Sequence, residues 1–95
     1  MEIRRLAEAE LAQAAARYEL RRQGLGAEFL EAFRTQIKTV CESPTRWPLW
    51  VRDIRRYQLN RFPYFVYYDV RGDRLRILRV VHNKRNPKPI RELFE

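Results

Sequence analysis

An α+β fold, with an N-terminal helical hairpin laid on one face of a small antiparallel sheet of three to four strands, is predicted by three observations. Apolar residues recur every three to four positions as far as Cys41, they alternate after Pro48, and a Gly-Asp pair at 72–73 separates two of the alternating runs. The 95 residues are 45% apolar, which supplies one modest core and not two, so residues 1–95 read as a single domain.

The helical hairpin is expected over about 7–43. From Ala7 to Arg22 the chain is rich in Ala, Leu, Glu and Arg, and Leu11, Ala14, Ala15 and Tyr18 fall on one helical face. The glycines of Gln23-Gly24-Leu25-Gly26 end that helix and turn the chain. Phe29, Phe33, Ile37 and Val40 then form the stripe of a second helix, which Ser43-Pro44 stops. Two helices joined this closely form an antiparallel pair with one shared apolar face.

The meander is expected over about 52–83. Residues 54–61, 64–70 and 74–83 are rich in Ile, Val, Tyr, Leu and Arg, the composition of half-buried strands. Side chains alternate along a strand, so Val66, Tyr68 and Val70 share one face and Phe65, Tyr67 and Asp69 the other. The first set is assigned to the helices, the second to an outer face open to a partner, where Arg55 or Arg56 joins it depending on register. Met1 to Arg5 is read as a short edge strand. Residues 90–95, with Ile90, Leu93 and Phe94, have the pattern of a short C-terminal helical turn.

Charge narrows the function. The net charge is +8, and it is not spread evenly: residues 1–45 hold as many acids as bases, whereas 46–91 hold only Asp53, Asp69 and Asp73 against a large excess of Arg and Lys. Such a basic half attracts polyanions or an acidic protein surface. With one cysteine, Cys41, and one histidine, His82, the chain offers no disulfide and no zinc ligand set, and neither a metal nor a cofactor is expected. No run has the length of a signal peptide or a membrane span, so a cytoplasmic protein without membrane attachment is expected.

The order of elements, together with AEAELAQAAARYE (7–19), GLGAEFLEAF (24–33), ESPTRWP (42–48), RRYQLNRFPYFVYYDV (55–70) and DRLRILRVVHNKRNP (73–87), resembles the ParE branch of the RelE/ParE toxin superfamily of type II toxin–antitoxin, or plasmid stabilisation, modules. The resemblance implies a bacterial or archaeal toxin held inactive by a cognate antitoxin in a hetero-oligomer. It also implies one of two effectors. ParE-like members poison DNA gyrase without being nucleases, and RelE-like members are ribosome-dependent mRNA endonucleases.

Phosphodiester cleavage by a 2′-hydroxyl needs a base, cations on the developing phosphate charge and a donor for the leaving oxygen. The RelE-like lysine pair of the second strand falls on Arg56 and Gln58, the arginine after the FPY-like tyrosine on Phe65, the arginine ending the last strand on Asn83, and the tyrosine beyond it near Pro89. Most of that machinery is missing, which favours a ParE-like inhibitor of an enzyme over an enzyme. The alternative, an mRNA endoribonuclease with an altered basic site, would use Arg56, Arg79, His82 and Arg85. His82 alone has an unperturbed pKa suited to general base work, although a lone histidine at a strand end is more often packed than catalytic.

Arginine and aromatic residues together make protein hot spots. The residues expected to meet the antitoxin or the target are Arg55, Arg56, Arg61, Phe65, Tyr67, Arg79, Lys84 and Arg85. Relatives often carry a small residue where Arg79 stands. On a helix-facing strand position its charge must reach the sheet edge or pair with an acid.

Overall fold

The computed structural model describes residues 1–84 of the chain. In chain order the elements are β1 (Glu2–Ile3), α1 (Arg5–Arg21), α2 (Leu25–Glu42), β2 (Leu49–Val51), β3 (Ile54–Gln58), β4 (Tyr64–Arg71) and β5 (Arg74–His82). The expected C-terminal turn and Arg85 lie outside the described residues.

The helical hairpin is held by its own turn. Glu19, near the end of α1, accepts the N–H of Gly24 at 2.9 Å and of Gly26 at 3.1 Å, so α1 caps α2. Gly24 has a φ of 89°, which a side chain rarely tolerates. Gly26 meets a different constraint, because a Cβ built there would lie 2.5 Å from the carbonyl oxygen of Ala15. The absence of a side chain lets the two helices touch backbone to side. At its start α1 has no side-chain cap, and the Arg4 N–H instead donates to Ile77 O at 2.9 Å, tying the helix start to β5.

The sheet order is β1-β5-β4-β3-β2. It has five strands rather than three or four, and it is mixed, because β1 runs parallel to β5 while β2 to β5 form the expected antiparallel meander. β2 is three residues long and bulged against β3, too short for alternation to register in the sequence.

The face assignment holds. Val66, Tyr68, Leu75, Ile77 and Val80 bury against Leu11, Phe29, Phe33, Ile37 and Val40 of the helices. At one end Tyr18, Phe29, Phe62 and Tyr64 pack with ring centroids 5.0–5.3 Å apart in the closest pairs, edge to face except for the tilted Tyr18–Phe29 pair. Each such ring contributes about 1.5–3 kcal/mol by burial, and favourable edge contacts add to it.

The outer face is not open throughout. Ile54, Tyr67 and Val81 form a second buried cluster there, covered by Trp50, Val51, Phe65 and Leu78. Tyr67, expected to present itself to a partner, is only 1% exposed. Half of that cover, Trp50 and Val51, comes from β2, the strand that the sequence pattern does not reveal.

β5 carries one extra residue. Tyr67 opposes Arg79 and Tyr68 opposes Ile77, leaving Leu78 as a bulge. The alternation shifts there: Ile77 and Val80 face the helices, and Leu78 and Val81 face outward.

Candidate functional site: the arginine and aromatic face

Arg55 and Arg56 are neighbours on β3 and therefore point to opposite faces. Arg55 opposes Tyr68 on the helix side and donates from Nη1 to the carbonyls of Trp47 at 2.6 Å and Thr45 at 3.3 Å. The Tyr68 hydroxyl donates to Pro44 O at 2.6 Å. The two side chains together pin the turn that follows α2, so Arg55 braces the fold instead of standing free.

Arg56 has a different setting. It opposes Tyr67 on the outer face, and its guanidinium lies between two rings, 3.6 Å from the centroid of Trp50 and 4.0 Å from that of Phe65. Cation–π contacts on both sides fix a planar fork of donors in one orientation. Half-buried Phe65 serves as its floor.

Arg61, at a φ of 72°, donates to Glu28 Oε1 at 2.8 Å, and Glu28 also holds Arg22 at 3.1 Å. Hydrogen bonds first from Arg61 and then from Arg22 keep the Glu28 carboxyl below its usual range.

Arg79 is committed to α1. Glu10 receives its Nε at 3.1 Å and its Nη2 at 2.8 Å, and accepts the N–H of Val80 at 2.8 Å. The expected pairing with an acid is what the bulge makes room for. As a binding residue Arg79 has little to offer, its side chain being 13% exposed.

His82 packs its ring on Tyr64 at 5.1 Å, and its Nδ1 accepts the N–H of Lys84 at 3.1 Å. With Arg17, Arg79 and Lys84 it lines a cleft between α1 and β5. Arg56 lies on the outer face, away from this cleft, so the four residues weighed for catalysis do not form one site: two line the cleft, Arg56 stands apart and Arg85 is outside the described residues. Among the described residues no group of His, Cys, Asp and Glu could hold a metal ion.

Sequence reasoning missed Glu10, Arg17 and Trp50. Nothing in a one-dimensional pattern points an acid on α1 to a strand about seventy residues away. Trp50 carried a usable signal, a large ring after a proline and before a basic strand, but its strand is too short to give a face.

A family model described as ParE toxin of type II toxin-antitoxin system, parDE, matches residues 1–87. The chain belongs to the ParE toxin family. It is the toxin component of a ParDE type II toxin–antitoxin system, and its partner is an antitoxin. A solved structure described as the chromosomal ParDE TA system from P. aeruginosa superposes with a TM-score of 0.76 over 85% of this chain and 91% of that one, at 21% identity, and shares the fold. No curated protein matches the chain. Among the described residues of this ParE toxin no helix is long and apolar enough to cross a membrane.

Proposed function

We propose that this ParE toxin acts in the cytoplasm by docking on DNA gyrase and poisoning it, and that the antitoxin neutralises it in a hetero-oligomer by covering the outer face around Arg56. The observation that carries this reading is the Trp50–Arg56–Phe65 stack, at 3.6 and 4.0 Å. A guanidinium held between two rings is a preorganised anchor for a carboxylate, and arginine flanked by aromatics is the usual composition of a protein hot spot.

Support also comes from how the other cations are engaged. A ribonuclease would need free positive charge around the scissile phosphate. Arg55 instead holds backbone carbonyls, Arg79 holds Glu10, and Phe65 is spent beneath Arg56.

The competing reading, a ribosome-dependent mRNA endonuclease, rests on the cleft that gathers Arg17, Arg79, His82 and Lys84. Purified toxin freed of antitoxin separates the two in parallel assays. Loss of supercoiling or accumulation of cleaved DNA with intact mRNA supports the gyrase reading. Cut mRNA on programmed ribosomes with normal supercoiling replaces it with the nuclease reading.

A further inference from the structure

We propose that the outer sheet face, on the side of the α1 start, binds the phosphate backbone of duplex DNA without regard to sequence. The proposal stands on the charges of this face and is independent of the toxin's enzyme target.

Arg4, Arg5, Arg52, Arg71 and Arg76 line one groove, in which the carboxylates are Asp53 and Asp69. Both acids are already consumed. Asp69, 2% exposed, takes Arg76 in a two-point pair at 2.8 and 2.6 Å and Arg71 at 3.5 Å, and Arg71 reaches on to Asp53 at 3.1 Å. Neither Arg4 nor Arg5 enters an ion pair among the described residues, and the acids nearest them in sequence, Glu2 and Glu8, do not line the groove. They stand at the N-cap and first residue of α1, where their charges add to the positive end of the helix dipole. Exposed Arg74 begins β5 opposite Arg71, further along the strand and on the same outer face as Arg76. Like charges gathered at this density repel one another, and a polyanion relieves that repulsion.

The shape of the face selects the polyanion. From β3 through β4 and β5 to β1 is three strand spacings, about 15 Å. Duplex DNA carries one charge per about 1.7 Å of axis with both strands counted, so that width spans on the order of nine phosphate charges, about half of them on the near side. Single strands are gripped by stacking on open rings. The outer-face rings are taken, Trp50 and Phe65 by Arg56 and Tyr67 by burial. Of the large apolar side chains that line the groove only Leu6 is exposed, Ile54 being buried and Leu78 half-buried.

The test uses the full chain freed of antitoxin and a labelled 20-base-pair duplex of arbitrary sequence, read by fluorescence anisotropy between about 50 and 200 mM salt. The expected log–log salt slope is about −4 to −5, each neutralised phosphate adding about −0.9. The triple variant Arg4→Gln, Arg5→Gln, Arg74→Gln leaves the Asp69 network intact. It is expected to bind about tenfold or more weakly and to flatten the slope by about 2 to 3. Arg34→Gln, Lys38→Gln, Arg46→Gln removes the same charge from α2 and the turn after it, and is expected to bind like the parent. Equal losses in the two triple variants would overturn the proposal in favour of net charge alone. Tighter binding of a single strand, or equal binding of an oligoglutamate of matched charge, would overturn it in favour of stacking or of an acidic protein. Circular dichroism of each variant checks folding, and the parent's salt slope tests the proposal even where a variant fails to fold.

Discussion

Glu10 on α1 holds Arg79 on β5 through two guanidinium nitrogens and at the same time accepts the N–H of Val80, so one carboxylate closes a bulge and anchors the helical hairpin to the sheet. Both side chains are largely withdrawn from water, 13% and 14% exposed. Glu10→Ala strands a cation and a backbone donor together, and is expected to cost about 2–4 kcal/mol in urea unfolding. Glu10→Gln keeps an acceptor for Val80 and should cost less. A double variant with Arg79→Met should recover part of the loss, and simple additivity of the two single changes would show that the pair is not coupled.

The two glycines of the helical turn are expected to fail for different reasons. At Gly26 a methyl group meets the Ala15 carbonyl oxygen, backbone that cannot swing aside. Gly26→Ala should therefore cost about 1–3 kcal/mol by forcing the helices apart. At Gly24 nothing lies within 4 Å, and only the φ of 89° resists, so Gly24→Ala should cost about 1 kcal/mol and Gly24→Asn less. Thermal melts of the three variants give the order, and a Gly26→Ala protein as stable as the parent would remove the close-contact argument.

Much of this fold was legible in the sequence because its signals are local. The period of three to four that runs through Phe29, Phe33, Ile37 and Val40, the Gly24–Gly26 turn and the alternation of Val66, Tyr68 and Val70 each specify an element and its buried side. The site was less legible because it depends on pairings between distant segments. Arg55 and Arg56 look alike in sequence, and the register with β4 alone decides that one braces a turn and the other stacks on rings. Tyr67 reads as open in the sequence because part of its cover, Trp50 and Val51, sits on a three-residue strand. Arg79 was legible as an anomaly, a charge where alternation demanded burial, though its partner on α1 was not.

Three buried or half-buried tyrosines give stability a ceiling in pH. Burial raises the phenol pKa of Tyr18, Tyr57 and Tyr68 from 10.0, most strongly at Tyr57. Above pH 10 the unfolded chain releases protons that the folded chain keeps, so stability is fully present below that value and falls as pH rises past it. The Tyr57 hydroxyl is moreover buried without a hydrogen-bond partner among the described residues. Tyr57→Phe is expected to be neutral or to gain about 1 kcal/mol at pH 7 and to soften the loss at pH 11. A clear destabilisation at pH 7 would mean that the hydroxyl is satisfied by water.

Arg56 separates recognition from folding more cleanly than any other residue on the outer face. Its two ring contacts are worth about 0.5–1 kcal/mol each at a partly exposed site, too little for their loss to unfold the domain. Arg56→Ala should therefore keep its circular dichroism and most of its unfolding midpoint. If the stack is the anchor for target or antitoxin, the same change should weaken antitoxin binding by about tenfold to a hundredfold and relieve growth arrest on induction. Arg56→Lys retains the charge but not the flat fork, and should fall between the two. Calorimetric titration with antitoxin and plating efficiency after induction give the two readouts. Wild-type values for Arg56→Ala in both would reduce the stack to a packing device that shields Tyr67, and would move the recognition surface elsewhere.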